Sequence, residues 1–265
     1  MEKQDSLLST HRRLRILEIV NQKRSMSVDD LAQLFPVSTI TIRRDLDRLA
    51  EEKLLRRVHG GAMALSDIVT APKASELFAN ITDAQLRIGK EASLRIADGD
   101  FIIIESGSTC LALVEHLHDR RGLKVVTVSP RIVMMLSEIS EKHGNDFEII
   151  SSGGLLNINK NFFFGPHARL LFENIKVDIA FVSVTAIDRE AGITADSVYE
   201  AEITKTILEK CAKKRIGLIY ASKFEKTSFV KVAAADIFDE IITDSSLDGK
   251  IIDGYRELGT EITVV

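Results

Sequence analysis

Cysteine is scarce in this sequence. Cys110 and Cys211 are the two among 265 residues. They provide no disulfide framework, and the sequence therefore predicts a reduced, cytoplasmic compartment. Proline and glycine are also few, 4 and 15, which excludes collagen-like and Pro/Gly-rich chains. No apolar run approaches the ~20 residues that cross a bilayer. The opening Met1-Glu2-Lys3-Gln4-Asp5-Ser6 leads into no apolar signal-peptide segment. What is present is an ordinary globular balance, 45% hydrophobic and 28% charged, with enough apolar side chain to offset the entropy of folding.

The length allows one large domain or two ordinary ones, and the charge distribution favours two. Residues 1–61 carry 12 Lys and Arg against 9 Asp and Glu, while the remainder carries 23 against 30. A basic head on an acidic body suggests separate tasks, with a polyanion as partner of the head. Residues 62–83 lack a strong period and include Pro72, so they read as a linker. The expected division is 1–61, linker 62–83, and a second unit over 84–265.

In the head, Leu14, Ile16, Leu17 and Val20 recur at helical spacing over His11–Asn21. Ser27 is placed to cap a short helix, Val28 to Phe35, that Pro36 ends. Ser38 is placed to cap a third, from Thr39 to about Lys53. There Ile42, Leu46 and Leu49 form the buried stripe, and Leu54 to Gly61 reads as a short strand pair or wing. These are the dimensions of a winged helix-turn-helix, whose third helix enters a DNA major groove. Thr39, Ile40, Thr41, Arg43 and Arg44 are expected nearest the bases, since Arg bonds guanine bidentately and Ile contacts a thymine methyl. Ser38, Arg56, Arg57 and His59 are expected at the backbone or the wing-side groove. The bland alternative is a solvated basic helix in an ordinary hairpin.

The second unit alternates apolar strands with helices. Strands are expected at 101–104, 124–127, 147–150, 179–182, 216–219, 240–243 and 262–264. Helices are expected at 84–97, 110–116, 131–139, 198–213 and 247–257. Continuous apolar strands imply a mostly parallel sheet covered on both faces, hence an α/β fold. Small and hydroxylic residues follow the strands: Glu105-Ser106-Gly107-Ser108-Thr109, Ser151-Ser152-Gly153-Gly154, Thr185-Ala186-Ile187-Asp188 and Ser222-Lys223. Open α/β sheets bind ligands at that edge. Amides and hydroxyls of Ser106, Gly107, Ser108 and Thr109 suit a phosphate, and Lys223 supplies the countercharge. Gly153 and Gly154 allow close backbone approach, and Asp188 and Glu200 suit sugar hydroxyls.

The run Val37-Ser38-Thr39-Ile40-Thr41-Ile42-Arg43-Arg44-Asp45-Leu46, followed by His59-Gly60-Gly61-Ala62, closely resembles the signature of the DeoR family of bacterial transcriptional regulators. The resemblance spans nearly the whole chain. It implies a sequence-specific repressor of a carbohydrate-metabolism operon that binds double-stranded operator DNA. It further implies a sensor domain similar in fold to ribose-5-phosphate isomerase, with a phosphorylated sugar site on Glu105–Thr109, Gly153, Gly154, the Asp188 loop, Glu200 and Lys223. The sequence departs from the family pattern at Lys53, Glu105, Ser108, Val128, Ala186 and Glu225, where relatives usually have Gly, Asp, Thr, Asn, Gly and Gly.

No cofactor, metal or catalytic residue is expected. His116 and His118, two apart on a helix end, do not share a face for zinc. Cys110 and Cys211 read as packing residues. Phe162-Phe163-Phe164 reads as core, with a lid or a subunit contact as the sharper alternative. A homo-oligomer is expected, a dimer or tetramer, because one short recognition helix reads few base pairs. Two other functions compete: a sugar-phosphate isomerase-like enzyme using Asp188, Glu200 and Lys223, and an architectural DNA-binding protein.

Overall fold

The computed structural model describes residues 2–23, 25–52, 54–58, 60–64 and 81–265; for 2–11 and 22 it describes the backbone only. Lys53, His59 and most of the expected linker lie outside the described residues. The chain divides into two compact units, Met1–Ile68 and Val69–Val265.

Three helices, Glu2–Lys23, Val28–Leu34 and Thr39–Glu51, build the first unit. The first begins well before the expected His11. Ser27 and Ser38 cap the other two, their hydroxyls accepting from the amides of Asp30 at 3.0 Å and Thr41 at 3.3 Å. Ile16, Val20, Val28, Leu31, Ile42, Leu46 and Leu49 meet in one core with Leu55, Ala62 and Ala64. The wing is the antiparallel pair β2 (Leu55–Val58) and β3 (Gly61–Ala64). Sequence reading missed a third strand, β1 (Ser25–Ser27), which pairs with the other side of β3. Gly61 permits that pairing: a Cβ there would stand 2.2 Å from the Met26 carbonyl oxygen.

The second unit is built on a seven-stranded sheet. Its strands are β4 (Phe101–Ile104), β5 (Lys124–Thr127), β6 (Glu148–Ser151), β9 (Val177–Val182), β12 (Ala212–Leu218), β14 (Glu240–Thr243) and β15 (Glu261–Val264). All six pairings are parallel. Successive residues alternate between two cores. Ile103, Val126, Val182 and Ile241 join one; Ile102, Ile104, Val125, Phe181 and Ile242 join the other. The inner strands are thus largely buried on both faces, which is why their sequences show no polar alternation, while the edge strands β6 and β15 stay partly exposed.

Helices Asp83–Ser93, Ser108–Val114 and Pro130–His143 supply the second of these cores. Helices Pro166–Asn174, Val198–Thr206 and Gly249–Glu257 supply the first. The expected helix 198–213 is shorter. It passes into a π-helical turn at Ile207–Cys211, and β12 begins at Ala212. The hairpin β7 (Leu155–Asn157) with β8 (Phe162–Phe164) lay outside the expected elements, as did the helix from Pro166. So did a small antiparallel sheet of β10 (Ala186–Asp188), β11 (Gly192–Ala195) and β13 (Val230–Ala233).

The spatial order β15-β14-β12-β9-β4-β5-β6 reverses direction between β4 and β9. From β4 the chain steps outward to β5 and β6; from β9 it steps the other way. A crevice opens at the carboxyl ends of two strands that diverge in this manner.

Candidate functional site

In the first unit the third helix turns one face inward and one outward. Ile42, Asp45, Leu46 and Leu49 are buried, whereas Thr39, Ile40, Arg43 and Arg44 are exposed. Ile40 is 61% exposed, a large apolar side chain held in water on a helix with ample core available. Thr41 is half-buried, and its hydroxyl stands 3.1 Å from that of Ser38.

Two wing arginines are engaged differently from expectation. Arg57 donates to Asp47 at 2.8 Å and to the Gly61 carbonyl, so it ties the wing to the third helix. Arg56 is half-buried, with Nη1 enclosed and without a hydrogen-bond partner. Sequence could not reveal the Arg57 bond, because Asp47 lies on the helix one element earlier. His59 lies outside the described residues.

In the second unit, Glu105 directly follows β4 at the strand reversal and is 2% exposed. Its carboxylate accepts from the Thr204 hydroxyl and the Ser183 amide. Burial nevertheless pushes the carboxyl up to about 8. Lys223, from the loop after β12, reaches across β9. It donates to the Ser183 hydroxyl at 3.2 Å and to the Val184 carbonyl, and its ammonium lies over the Tyr220 ring. Burial draws that ammonium down to about 8, against the pull of Cys110, Glu200 and Glu105. Ser183 therefore bonds to both Glu105 and Lys223.

The Ser106–Thr109 loop opens the helix Ser108–Val114 from Gly107, whose φ is +93°. A side chain at that φ is strained, and its Cβ would come 3.4 Å from Ser183. Ser108 is buried and accepts from Gln85 at 2.6 Å, leaving its own proton to donate. The Thr109 hydroxyl is enclosed without a hydrogen-bond partner.

Lys160, in the turn between β7 and β8, binds both Asp196 and Glu200, the latter at 2.6 Å. Burial opposes its charge, yet the two carboxylates hold the ammonium above the usual lysine range. Burial raises the Glu200 carboxyl in spite of Lys160. Glu105, Glu200 and Lys223 are thus electrostatically coupled, with Thr204 on the same helix as Glu200.

Two expected groups stand apart from this cluster. The Asp188 carboxylate accepts from the amides of Glu190 at 2.9 Å and Ala191 at 2.7 Å, closing its own turn. Gly153 and Gly154 follow β6, two strands from β4. Gly154 serves packing, since its Cβ would lie 2.6 Å from the Phe164 carbonyl.

Residues 81–245 match the DeoR C terminal sensor domain, and residues 12–67 match the DeoR-like helix-turn-helix domain. The chain belongs to the DeoR family. Its relatives include the HTH-type transcriptional regulator GolR of Listeria innocua, 29% identical over 96% of this chain and 97% of the relative. The glycerol-3-phosphate regulon repressor of Escherichia coli is 28% identical over 89% of this chain and 91% of its own length. A ribose 5 phosphate isomerase A from Neisseria gonorrhoeae superposes partially, with 14% identity, a TM-score of 0.37 and coverage of 54% of this chain and 53% of that one. The chain is a DNA-binding transcriptional regulator of the DeoR family, with an N-terminal helix-turn-helix and an α/β sensor domain.

Several residues of this buried cluster were not visible in the sequence. Ser183, Lys160, Asp196 and Thr204 come from different elements and meet only because the sheet reverses at β4 and β9. Lys160 left one signal, its place in a loop with Asn157, Asn159 and Asn161, the last at φ +52°. Val128 is fully buried in the core, and its carbonyl accepts from the Phe163 amide at 2.8 Å. Both cysteines are buried; Cys110 packs beside Glu105, and burial pushes its thiol up to about 12. Phe162 is buried as core, and Phe164 stacks on Tyr199 with ring centroids 4.7 Å apart.

Proposed function

We propose that this protein represses a carbohydrate-metabolism operon, binding double-stranded operator DNA through the helix Thr39–Glu51 and releasing or tightening it in response to a phosphorylated sugar. The observation that carries the reading is the outward face of that helix. Thr39, Ile40, Arg43 and Arg44 stand free in solvent while the opposite face is fully buried, which is the presentation a major groove requires. Arg43 and Arg44 have no ion-pair partner among the described residues, so both guanidinium groups are available to base edges or phosphates. Ser38, Thr41, Arg56 and His59 complete the DNA surface, while Arg57 contributes by fixing the wing.

The effector is placed at the reversal of strand order. Ser106, Gly107, Ser108 and Thr109 offer amides and hydroxyls, Lys223 offers charge, and Glu105 and Glu200 offer oxygen acceptors. Gly153, Gly154 and Asp188 belong to the outer rim of the same edge. One relative is named a glycerol-3-phosphate regulon repressor and another a putative aga operon transcriptional repressor, which supports a phosphorylated polyol or sugar as signal. The protein acts without catalysis: Glu200 is tied to Lys160 and Asp188 to its own turn, leaving neither poised for proton transfer. A homo-oligomer, dimeric at least, and a cytoplasmic location follow from operator binding. No helix among the described residues is long and apolar enough to cross a membrane.

The test is selection of duplex DNA from a random pool by the full-length protein, followed by a screen of pentose, hexose and glycerol phosphates for altered binding. Recovery of a shared sequence motif and a response to one phosphorylated compound are expected. Equal binding of all sequences, or turnover of a screened sugar phosphate, contradicts the reading.

A further inference from the structure

The hairpin of β7 and β8 presents an open strand edge. Leu156 faces Phe163 across the pair, and the Phe163 amide points outward to the Val128 carbonyl. In an antiparallel ladder both members of such a pair turn their polar groups away from each other. The Leu156 amide and carbonyl therefore point away from β8, and neither has a partner among the described residues. The side chains along this edge are apolar and stand in water. Leu155 is 61% exposed and Ile158 80%, with Leu156 exposed between them. Across the ladder from Leu155, Phe164 stacks on Tyr199, so the exposed Tyr199 and its neighbour Val198 extend the same surface. From Ile149 to Pro166 the one ionisable residue is Lys160. A lysine on an open edge ordinarily keeps other strands away. Here it is turned inward, bound to Asp196 and Glu200, and the edge is left unguarded.

We propose that this edge pairs with the same edge of a second copy of the chain, β7 to β7 in antiparallel sense, joining two hairpins into one four-stranded sheet. The inference rests on the homo-oligomer proposed above and names its surface. Antiparallel pairing about a two-fold axis sets Leu156 opposite Leu156 of the second copy, where each amide meets the other's carbonyl. A strand with an outward amide and an outward carbonyl on the same residue is its own complement. Leu155, Leu156, Ile158, Val198 and Tyr199 together hold on the order of 500 Å² of apolar surface in water, the upper end for a monomer. A stable interface buries about 800 Å² on each partner, a little over half of it apolar, so the patch has the size that a dimer needs. Its lack of charge discriminates among occupants. Nucleic acid and strongly charged peptides find nothing there to bind, whereas a second copy brings an equally neutral face. The pairing also holds the turn that carries Lys160 to Asp196 and Glu200.

Sedimentation velocity of the full-length protein at micromolar concentration tests this, with wild type, Leu156→Lys, Leu156→Glu and Leu94→Lys compared. Leu94 is as exposed as Leu155 but lies at the end of the helix Asp83–Ser93. Wild type should sediment as an assembly, and Leu94→Lys should match it. Each Leu156 variant sets like charges face to face across the two-fold, so it should dissociate about tenfold more readily or more and lose one doubling of mass. Mixing the two Leu156 variants sets Lys against Glu and should restore the assembly, which chains that had merely misfolded could not do. Wild-type assembly by the Leu156 variants overturns the inference and leaves the homo-oligomer standing on another surface. Dissociation that the mixture does not reverse overturns the pairing of Leu156 with its own copy. A wild type that is monomeric at every concentration overturns the homo-oligomer and the inference with it. A second measurement needs no variant. The Leu156 amide should exchange its hydrogen slowly in the assembled protein and quickly after dilution to monomer, and fast exchange within the assembly overturns the inference.

Discussion

Arg12 grips Asp45 with two bonds, Nε to one carboxylate oxygen at 2.6 Å and Nη2 to the other at 3.3 Å. Asp45 is 6% exposed and sits between the exposed Arg43 and Arg44 and Leu46 of the core. The acidic residue in the recognition helix therefore joins that helix to the first one. Bidentate geometry fixes the rotation of the helix as well as its position.

Removing one partner strands the other in a buried place. Arg12→Ala should destabilise the first unit by roughly 3 kcal/mol, whereas Asp45→Asn, which keeps one acceptor, should cost less. Thermal unfolding of the full-length protein with separate probes on each unit reads this directly. If Arg12→Ala unfolds at the wild-type temperature, the pair contributes nothing.

Arg44 and Arg57 should behave differently in DNA binding, although both are cationic. Arg44→Ala should relax base preference and cost roughly 1–3 kcal/mol if it reads a base. Its unfolding should be unchanged. Arg57→Ala frees Asp47 and the Gly61 carbonyl, so the wing loosens and all sequences should bind more weakly by a similar factor. Operator and scrambled duplexes compared at two salt concentrations separate the two behaviours.

Lys160→Met should remove the ammonium while retaining its stem, leaving Asp196 and Glu200 to repel each other in an enclosed space. Reduced stability of the second unit is expected, on the order of 3 kcal/mol. Partial recovery should follow from adding Glu200→Gln. A double variant no more stable than Lys160→Met places the lysine's role elsewhere.

Acid should act on the second unit through Glu240. Burial raises its carboxyl, but bonds from Arg95, Lys214 and Thr263 outweigh this and hold it below the usual range. Its contribution is therefore complete above the unfolded value, about 4.3, and is lost as pH falls below it. Glu240→Gln should cost about 2 kcal/mol at neutral pH and shallow the acid limb of the stability curve. Glu105 works in the opposite sense. Its folded value of about 8 exceeds the unfolded one, so its contribution is full at acid pH and is lost as pH rises towards 8.

The parallel sheet was legible because its inner strands carry short apolar runs such as Phe101–Ile104 and Ile216–Leu218, as burial on two faces favours. The recognition helix was legible because Ser38 caps it and Ile42, Leu46 and Leu49 repeat at helical spacing. The small strands were not. Ser25–Ser27 has one apolar residue, and Leu155–Asn157 and Phe162–Phe164 are too short to display a period. Of the candidate site, only part could be proposed from sequence. The Ser106–Thr109 loop and Lys223 follow apolar strands and bear obvious chemistry. Ser183 and Thr204 are ordinary hydroxyls until topology sets them beside Glu105.

The reversal of strand order makes the sheet a jointed object. β4-β5-β6 and β9-β12-β14-β15 meet along a single line, the pairing of Ile102–Ile104 with Ile179–Phe181. An occupant bonded to the Ser106–Thr109 loop on one side and to Lys223 on the other spans that joint like a rivet. The amides of β4 and β9 would then exchange with solvent only when both halves part together, so the signal of occupancy would be stiffness along the joint, available to the rest of the chain without any strand changing its place.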